Sequence, residues 1–70
     1  MMSSTTEIIM EIAKICGEKK MNFILLREGE KNYIKYTPKD TLIINAPDVS
    51  DEGFVGLLED ELKVLQDFGE

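Results

Sequence analysis

The chain has 70 residues, a formal net charge of −6, one cysteine and no histidine. This composition excludes an intrachain disulfide, a Ser–His–Asp or Cys–His catalytic centre, and a typical Cys/His zinc site. A domain of this size buries only about 60% of the surface that its unfolded chain exposes. We therefore expect a single small domain over residues 1–70, frayed at residues 1–4, whose stability is marginal without a partner.

Charge is distributed unevenly along the chain. Residues 1–39 hold seven basic and five acidic residues, whereas residues 40–70 hold nine acidic residues and one base, Lys63. The second half should repel nucleic acid and anionic membranes and attract basic surfaces. We expect no direct nucleic-acid binding and no membrane binding. The lone cysteine, together with the lack of a long apolar run or a signal-peptide pattern, favours a cytoplasmic location.

The first predicted element is a helix over residues 5–16. Ser4, Thr5, Thr6 and Glu7 have the pattern of a capping box. Gly17 is placed to end the helix in the left-handed conformation. Cys16 falls on the apolar side, so we interpret it as a buried structural thiol. The apolar side of the helix consists of Ile8, Ile9, Ile12, Ala13, Ile15 and Cys16.

Three short runs rich in β-branched and aromatic residues follow, over residues 22–27, 32–37 and 41–46. Gly29 supplies a turn residue between the first two runs, and residues 37–40 suit a type I turn with Pro38 at its second position. We interpret the runs as a three-stranded antiparallel meander.

Alternation along the strands assigns the side chains to two faces. The even-numbered face is wholly apolar and is predicted to be core. The odd-numbered face is too apolar for ordinary solvent exposure, so either one helix covers each face, or both helices cover the even face and the odd face contacts a partner. The predicted protein interface on the odd face consists of Phe23, Leu25, Tyr33, Lys35 and Ile43.

A second helix is predicted after Pro47, with Ser50 as its N-cap. Asp51 and Glu52 lie in the first turn, where the helix dipole favours acids. A broad apolar stripe extends to Phe68, and Gly69 is a plausible stop. The predicted acidic surface consists of Asp51, Glu52, Glu59, Asp60 and Asp67. The elements together predict an α+β fold in the order α-β-β-β-α, with two amphipathic helices packed on the meander.

Residues 48–59 also resemble an EF-hand calcium loop. Asp48, Ser50, Glu52 and Glu59 match its first, third, fifth and twelfth positions, and Gly53 matches the sixth. The segment before them is predicted as strand rather than helix, and the same residues serve as the start of the second helix. No other metal and no cofactor is predicted.

The order of one helix, three antiparallel strands and one helix resembles the double-stranded RNA-binding domain over the whole chain. That family contacts phosphates through basic residues at the start of its last helix. Here those positions hold Asp51 and Glu52. The resemblance implies the fold order, while the acidic residues argue against RNA binding.

The prediction of function rests on the exposed surfaces, because no catalytic motif is present. No cleft for a catalytic carboxylate pair is evident, so an enzyme is not expected. We expect a small acidic, non-enzymatic protein-interaction module. Through the odd face it either forms a homo-oligomer, with a dimer favoured, or binds a protein partner. Two alternatives remain open: an acidic protein that mimics nucleic acid and inhibits a basic partner, and a small calcium-binding module that uses residues 48–59.

Overall fold

The structure is a computed structural model that describes residues 4–67. Its elements are α1 (Thr5–Glu18), β1 (Asn22–Leu26), β2 (Tyr33–Tyr36), β3 (Thr41–Asn45) and α2 (Glu52–Asp67). The predicted α+β class and the α-β-β-β-α order are confirmed. The predictions for residues 1–3, Phe68 and Gly69 lie outside the described residues.

α1 begins with the predicted capping box. The hydroxyl of Ser4 accepts a hydrogen bond from the backbone N–H of Glu7, and the Glu7 carboxylate accepts one from the N–H of Ser4, both at 3.1 Å. These bonds satisfy two of the amide groups that a helix leaves unpaired at its start. Ser4 is therefore the N-cap of α1.

The end of α1 differs from the prediction. Gly17 stays helical, and Lys20 takes the left-handed conformation with φ +60°. The N–H of Lys20 donates to the carbonyl of Gly17 at 3.2 Å, and the N–H of Met21 donates to that of Cys16 at 2.9 Å. This pair of bonds is a Schellman motif, in which the left-handed residue is the second after the helix. The motif falls three residues beyond the glycine.

The sheet is mixed and is not the predicted antiparallel meander. Its order is β1-β3-β2, with β1 parallel to β3 and β2 antiparallel to β3. The central strand, β3, is the most buried of the three, as expected for a strand with a neighbour on each side. Gly29 has φ +66°, but it lies in a loop that passes the end of β3, not in a tight hairpin turn. The resemblance to the RNA-binding domain does not extend to this sheet.

The side chain of Asn45 holds that loop, residues 27–32, across the end of β3. Its carbonyl oxygen accepts from the N–H of Glu28 at 2.9 Å, and its amide donates to the carbonyls of Glu28 and Lys31 at 2.9 and 2.7 Å. Asn45 is only 2% exposed. Because buried backbone groups must find partners, these three bonds allow the chain to leave β1 and skip over β3 before forming β2.

Both helices lie on the same face of the sheet. The Cα atoms span 31 × 29 × 14 Å. A helix packs about 10 Å from its neighbouring layer, and its Cα atoms lie about 2.3 Å from its axis, so a 14 Å thickness holds one sheet and one layer of helices. The alternative with one helix on each face is therefore excluded. A single core joins the two layers: Ile8, Ile9, Ile12, Ile15, Cys16, Leu42, Ile44, Ala46, Phe54, Leu58 and Leu65.

α2 is capped by Asp51, not by Ser50 as predicted. The Oδ1 atom of Asp51 accepts from the N–H groups of Gly53 and Phe54, at 3.0 and 3.3 Å. Ser50 instead donates to Oδ1 of Asp48 through its N–H and its hydroxyl, at 3.0 and 2.6 Å. Serine and aspartate are comparably good N-cap residues. Here the hydrogen bonds to Asp48 engage the Ser50 side chain in a turn, which leaves Asp51 to cap the helix. Across residues 4–67, neither helix has the length and apolar character needed to cross a membrane.

Candidate functional site

The candidate site is the sheet face turned away from the helices, which we call the open face. The strand register assigns eight residues to it: Asn22, Ile24, Leu26, Tyr33, Lys35, Thr41, Ile43 and Asn45. Ile24, Ile43 and Lys35 form one row across the three strands, and Ile24 and Tyr33 are each 42% exposed. Leu26 and Ile43 are half-buried beside them. The sheet thus exposes an apolar surface on the side that α1 and α2 leave uncovered.

The structure places only part of the predicted interface on this face. Tyr33, Lys35 and Ile43 lie there, but Phe23 and Leu25 do not. Phe23 pairs with Leu42, and Leu25 pairs with Ile44; both partners are fully buried beneath the helices. The prediction applied one numbering parity to all three strands. In the structure, the odd-numbered residues of β1 pair with even-numbered residues of β3. The odd-numbered side chains of β1 therefore lie on the helix side, because a shift of one residue exchanges the two faces of a strand.

Ile24 and Leu26 are the open-face residues that the sequence interpretation missed. Both faces of β1 are apolar, so alternation within the strand does not show which face is covered. The partner strand decides this, and the predicted meander gave β1 the wrong partner. Leu25 lies on the helix side but stays 48% exposed, because β1 is at the edge of the sheet. It lines a shallow cavity there together with Met10 of α1, which is itself exposed.

The open face also differs from the rest of the molecule in charge. Lys35 is the only charged residue among its eight members, and none of them is acidic. The predicted acidic residues Glu52, Glu59, Asp60 and Asp67 belong to α2, in the other layer. The strand residues of the open face are thus free of carboxylates on a protein with a net charge of −6, while the exposed acids Glu28 and Glu30 lie in the loop at its Asn45 end.

The five predicted acidic residues are all exposed, but they do not form one surface. The Asp51 carboxylate caps α2 by accepting hydrogen bonds from the first backbone N–H groups of the helix. At about 100° per residue, Glu52 and Glu59 lie on one side of α2, while Asp60 and Asp67 lie towards another. Asp60 borders the groove between α2 and β2. The acidic half of the chain thus has several separate surfaces.

The geometry of residues 48–59 does not gather the four predicted calcium ligands. Asp48 already accepts two hydrogen bonds from Ser50, which hold the pKa of its carboxyl below the ordinary value. Glu52 and Glu59 belong to α2, where seven residues correspond to a rise of about 10 Å. Among residues 4–67, no group of three His, Cys, Asp or Glu side chains is placed to hold a metal ion.

Two other groups have altered protonation. Cys16 is fully buried, as predicted, and burial followed by the charge of Glu61 raises the pKa of its thiol. The Tyr36 hydroxyl donates a hydrogen bond to the Glu61 carboxylate. Partial burial of the phenol, and then this bond, raise the Tyr36 pKa well above its ordinary value. Both groups are therefore held protonated, which makes the thiol a poor nucleophile.

No protein-family model, curated protein or solved structure matches the chain. The open face and its surroundings are therefore the basis for a functional proposal.

Proposed function

We propose that this protein is a small, acidic, non-enzymatic interaction module whose open face binds the same face of a second copy. The observation that carries the proposal is an apolar face without acidic residues on a chain of net charge −6. Ile24, Ile43 and Tyr33 supply the apolar centre, and Lys35 supplies a charged side. An apolar centre with a polar rim is the usual anatomy of a contact surface.

The outline of the molecule sets an upper limit on the area that a contact on this side can bury. An ellipse whose axes are the two longer dimensions of the molecule, 31 and 29 Å, encloses about 700 Å². A stable interface of standard size buries about 800 Å² on each partner. The three strands, about five residues long and about 4.8 Å apart, cover roughly a third of this outline, so the loops that border the sheet would have to join the contact.

Charge opposes a second copy less on this side than on the helix side. When two open faces meet, both helix layers point outwards, so at least two sheet layers, stacked about 10 Å apart, separate the acidic helices. That distance exceeds the Debye length of about 8 Å at physiological salt, so the repulsion between the two acidic halves is largely screened. Each large apolar side chain buried contributes about 1.5–3 kcal/mol, which stabilises a small domain.

The buried free thiol of Cys16 is the basis for placing this module in the cytoplasm, since reduced cysteines are typical of that compartment. No geometry in residues 4–67 favours the calcium alternative.

Sedimentation velocity over about a hundredfold range of concentration tests the proposal. We expect the wild-type protein to sediment as a dimer that dissociates on dilution. Ile43→Lys places a charge at the centre of the face and should give a folded monomer. Ile24→Lys is a second variant at an already exposed position, so its effect does not depend on tolerance of change in the central strand.

The matched control is Met10→Lys, which introduces the same charge at a side chain that is 65% exposed on α1, outside the open face. This variant should dimerise like the wild type. A wild-type monomer at all concentrations, or equal dissociation of Met10→Lys and Ile24→Lys, would contradict the proposal.

A further inference from the structure

A second surface lies on the other side of the molecule, between α2 and the outer edge of β2. Two adjoining cavities of about 450 and 510 Å³ share Tyr36 and Glu61 and together form what we call the α2–β2 groove. Its walls carry apolar side chains that are about half exposed: Leu57 at 58%, Val64 at 52% and Tyr36 at 46%. The bond from Tyr36 to Glu61 joins the two walls. Water thus contacts an apolar groove that the described part of the chain does not fill.

The charged residues of the groove are mostly acidic. Asp60 and Glu61 line one cavity, and Asp40 and Glu61 line the other, with Lys19 at its end. Three carboxylates against one ammonium group give the groove a negative potential, which the acidic remainder of the chain reinforces. A basic occupant is therefore favoured, and a second copy that brings the same carboxylates is disfavoured.

The edge of β2 can pair with a further strand. The N–H of Thr37 donates to the carbonyl of Thr41 at 2.9 Å, which makes these residues a hydrogen-bonded pair. Hydrogen-bonded and non-hydrogen-bonded pairs alternate in an antiparallel ladder, so the backbone groups of Ile34 and Tyr36 point outwards from the sheet. The side chains of the same two residues line the groove. An incoming strand would therefore find hydrogen-bonding groups and an apolar surface together.

We propose that the α2–β2 groove binds an extended, basic segment of another protein, which adds to the sheet as a fourth strand beside β2. Added strands pair about 4.8 Å from the existing edge and gain affinity from main-chain hydrogen bonds. Apolar side chains on one face of the segment contact Leu57 and Val64. Lysine or arginine residues on that same face of the segment pair with Asp60 and Glu61, which line the groove beside Leu57 and Val64.

This proposal is independent of the dimer. The α2–β2 groove lies at the sheet edge on the helix side and shares only Tyr33 with the open face, whose other members face the opposite side. Each proposal can fail alone, because one is tested by sedimentation and the other by peptide binding.

A synthetic peptide of about seven residues is a suitable probe if valine and lysine take turns at its odd positions and threonine fills its even positions, because side chains two residues apart share one face of a strand. Binding is followed through the amide chemical shifts of isotope-labelled protein, and we expect changes at Ile34, Tyr36, Leu57 and Val64. Asp60→Lys should weaken binding about tenfold. The matched control is Glu59→Lys, on a different side of α2, which should bind within about twofold of the wild type.

Two modified peptides complete the test. The same peptide with glutamate in place of lysine should not bind, and one that is N-methylated on alternate residues should lose binding because it cannot pair with the edge of β2. The proposal is overturned if the basic peptide does not bind, if Asp60→Lys and Glu59→Lys weaken it equally, or if the N-methylated peptide binds as tightly. Shift changes confined to the open face, a helical bound peptide, or β2-edge changes caused by protein concentration alone would also overturn it.

Discussion

The side chain of Asn45 supplies hydrogen bonds to the backbone of a neighbouring loop, where a paired strand would usually supply them. It belongs to the open face by register, yet it is almost fully buried because the loop of residues 27–32 folds over it. Its amide matches one N–H and two carbonyls of that loop. The sequence does not reveal this role, since the edge strand β1 also contains an asparagine, Asn22.

Asn45→Ala should lower the free energy of unfolding by about 2–3 kcal/mol, because three backbone groups lose their partner. Asn45→Asp should cost more at neutral pH, since a carboxylate would face the carbonyls of Glu28 and Lys31. Urea unfolding measures both. Part of the Asp variant's loss should be recovered in acid, where the protonated carboxyl can donate one bond. Unchanged midpoints for both variants would mean that the loop is held by other contacts.

The pair of Tyr36 and Glu61 shows how a carboxylate is accommodated in an apolar stripe. Glu61 is half-buried among the apolar positions of α2, and its partner is a phenol, not a base. The bond requires that the phenol be neutral, and the pKa of Tyr36 is raised accordingly. A group whose pKa is raised on folding contributes stability below its unfolded pKa and loses that contribution as the pH rises through the folded value.

Tyr36→Phe should therefore lower stability at pH values below the ordinary phenol pKa of 10.0, and its deficit relative to the wild type should shrink as the pH rises above that value. Urea unfolding of both proteins across this range measures the difference. In a Glu61→Gln background the charge that helps to raise the pKa is absent, so the deficit should change less with pH. A deficit that grows in alkali would contradict the assignment.

The helix ends show which element boundaries depend on neighbouring structure. The capping box of α1 lies within four consecutive residues, and it was predicted correctly because all of its bonds are local. The ends assigned to Gly17 and Ser50 were wrong. A left-handed lysine replaced the glycine, and an Asp48 turn removed Ser50 from the cap position. Residue preferences for these positions are too similar to select between adjacent candidates.

Asp51→Ala should lower the free energy of unfolding by about 1 kcal/mol, because the amides of Gly53 and Phe54 lose their acceptor. Ser50→Ala is the matched comparison one residue away and should cost less. Denaturant melts of the two variants decide between the caps. A larger loss for Ser50→Ala would place the cap where the sequence alone had put it.

At the scale of the whole molecule, the sequence predicted the class, the element order and the apolar surfaces, but not the order of the strands. Chain proximity favours pairing β1 with β2, and nothing within either strand opposes it. The insertion of β3 reverses β1, so Phe23 and Leu25 move to the helix side while Ile24 and Leu26 move to the open face. One error of strand order thus moved two of the five predicted interface residues to the helix side, because both faces of β1 are apolar.

The two-layer architecture is what makes an interaction role physically reasonable. A 14 Å thickness leaves one sheet face without a covering layer, and that face is apolar and free of acidic residues. Most acidic groups are carried by the helix layer and by the groove beside β2, while Glu28 and Glu30 lie in the loop at one end of the open face. The molecule therefore has one side suited to its own copy and another suited to a basic partner.

The most direct test of the central claim is an isotope-filtered nuclear Overhauser experiment on an equal mixture of labelled and unlabelled protein. Such spectra detect only contacts between different copies. We expect intermolecular contacts among the side chains of Ile24, Leu26, Tyr33 and Ile43, and none from Phe23 or Leu42 beneath the helices. A concentrated sample without intermolecular contacts at the open face, or with contacts only through α1, α2 or the edge of β2, would contradict the proposed dimer.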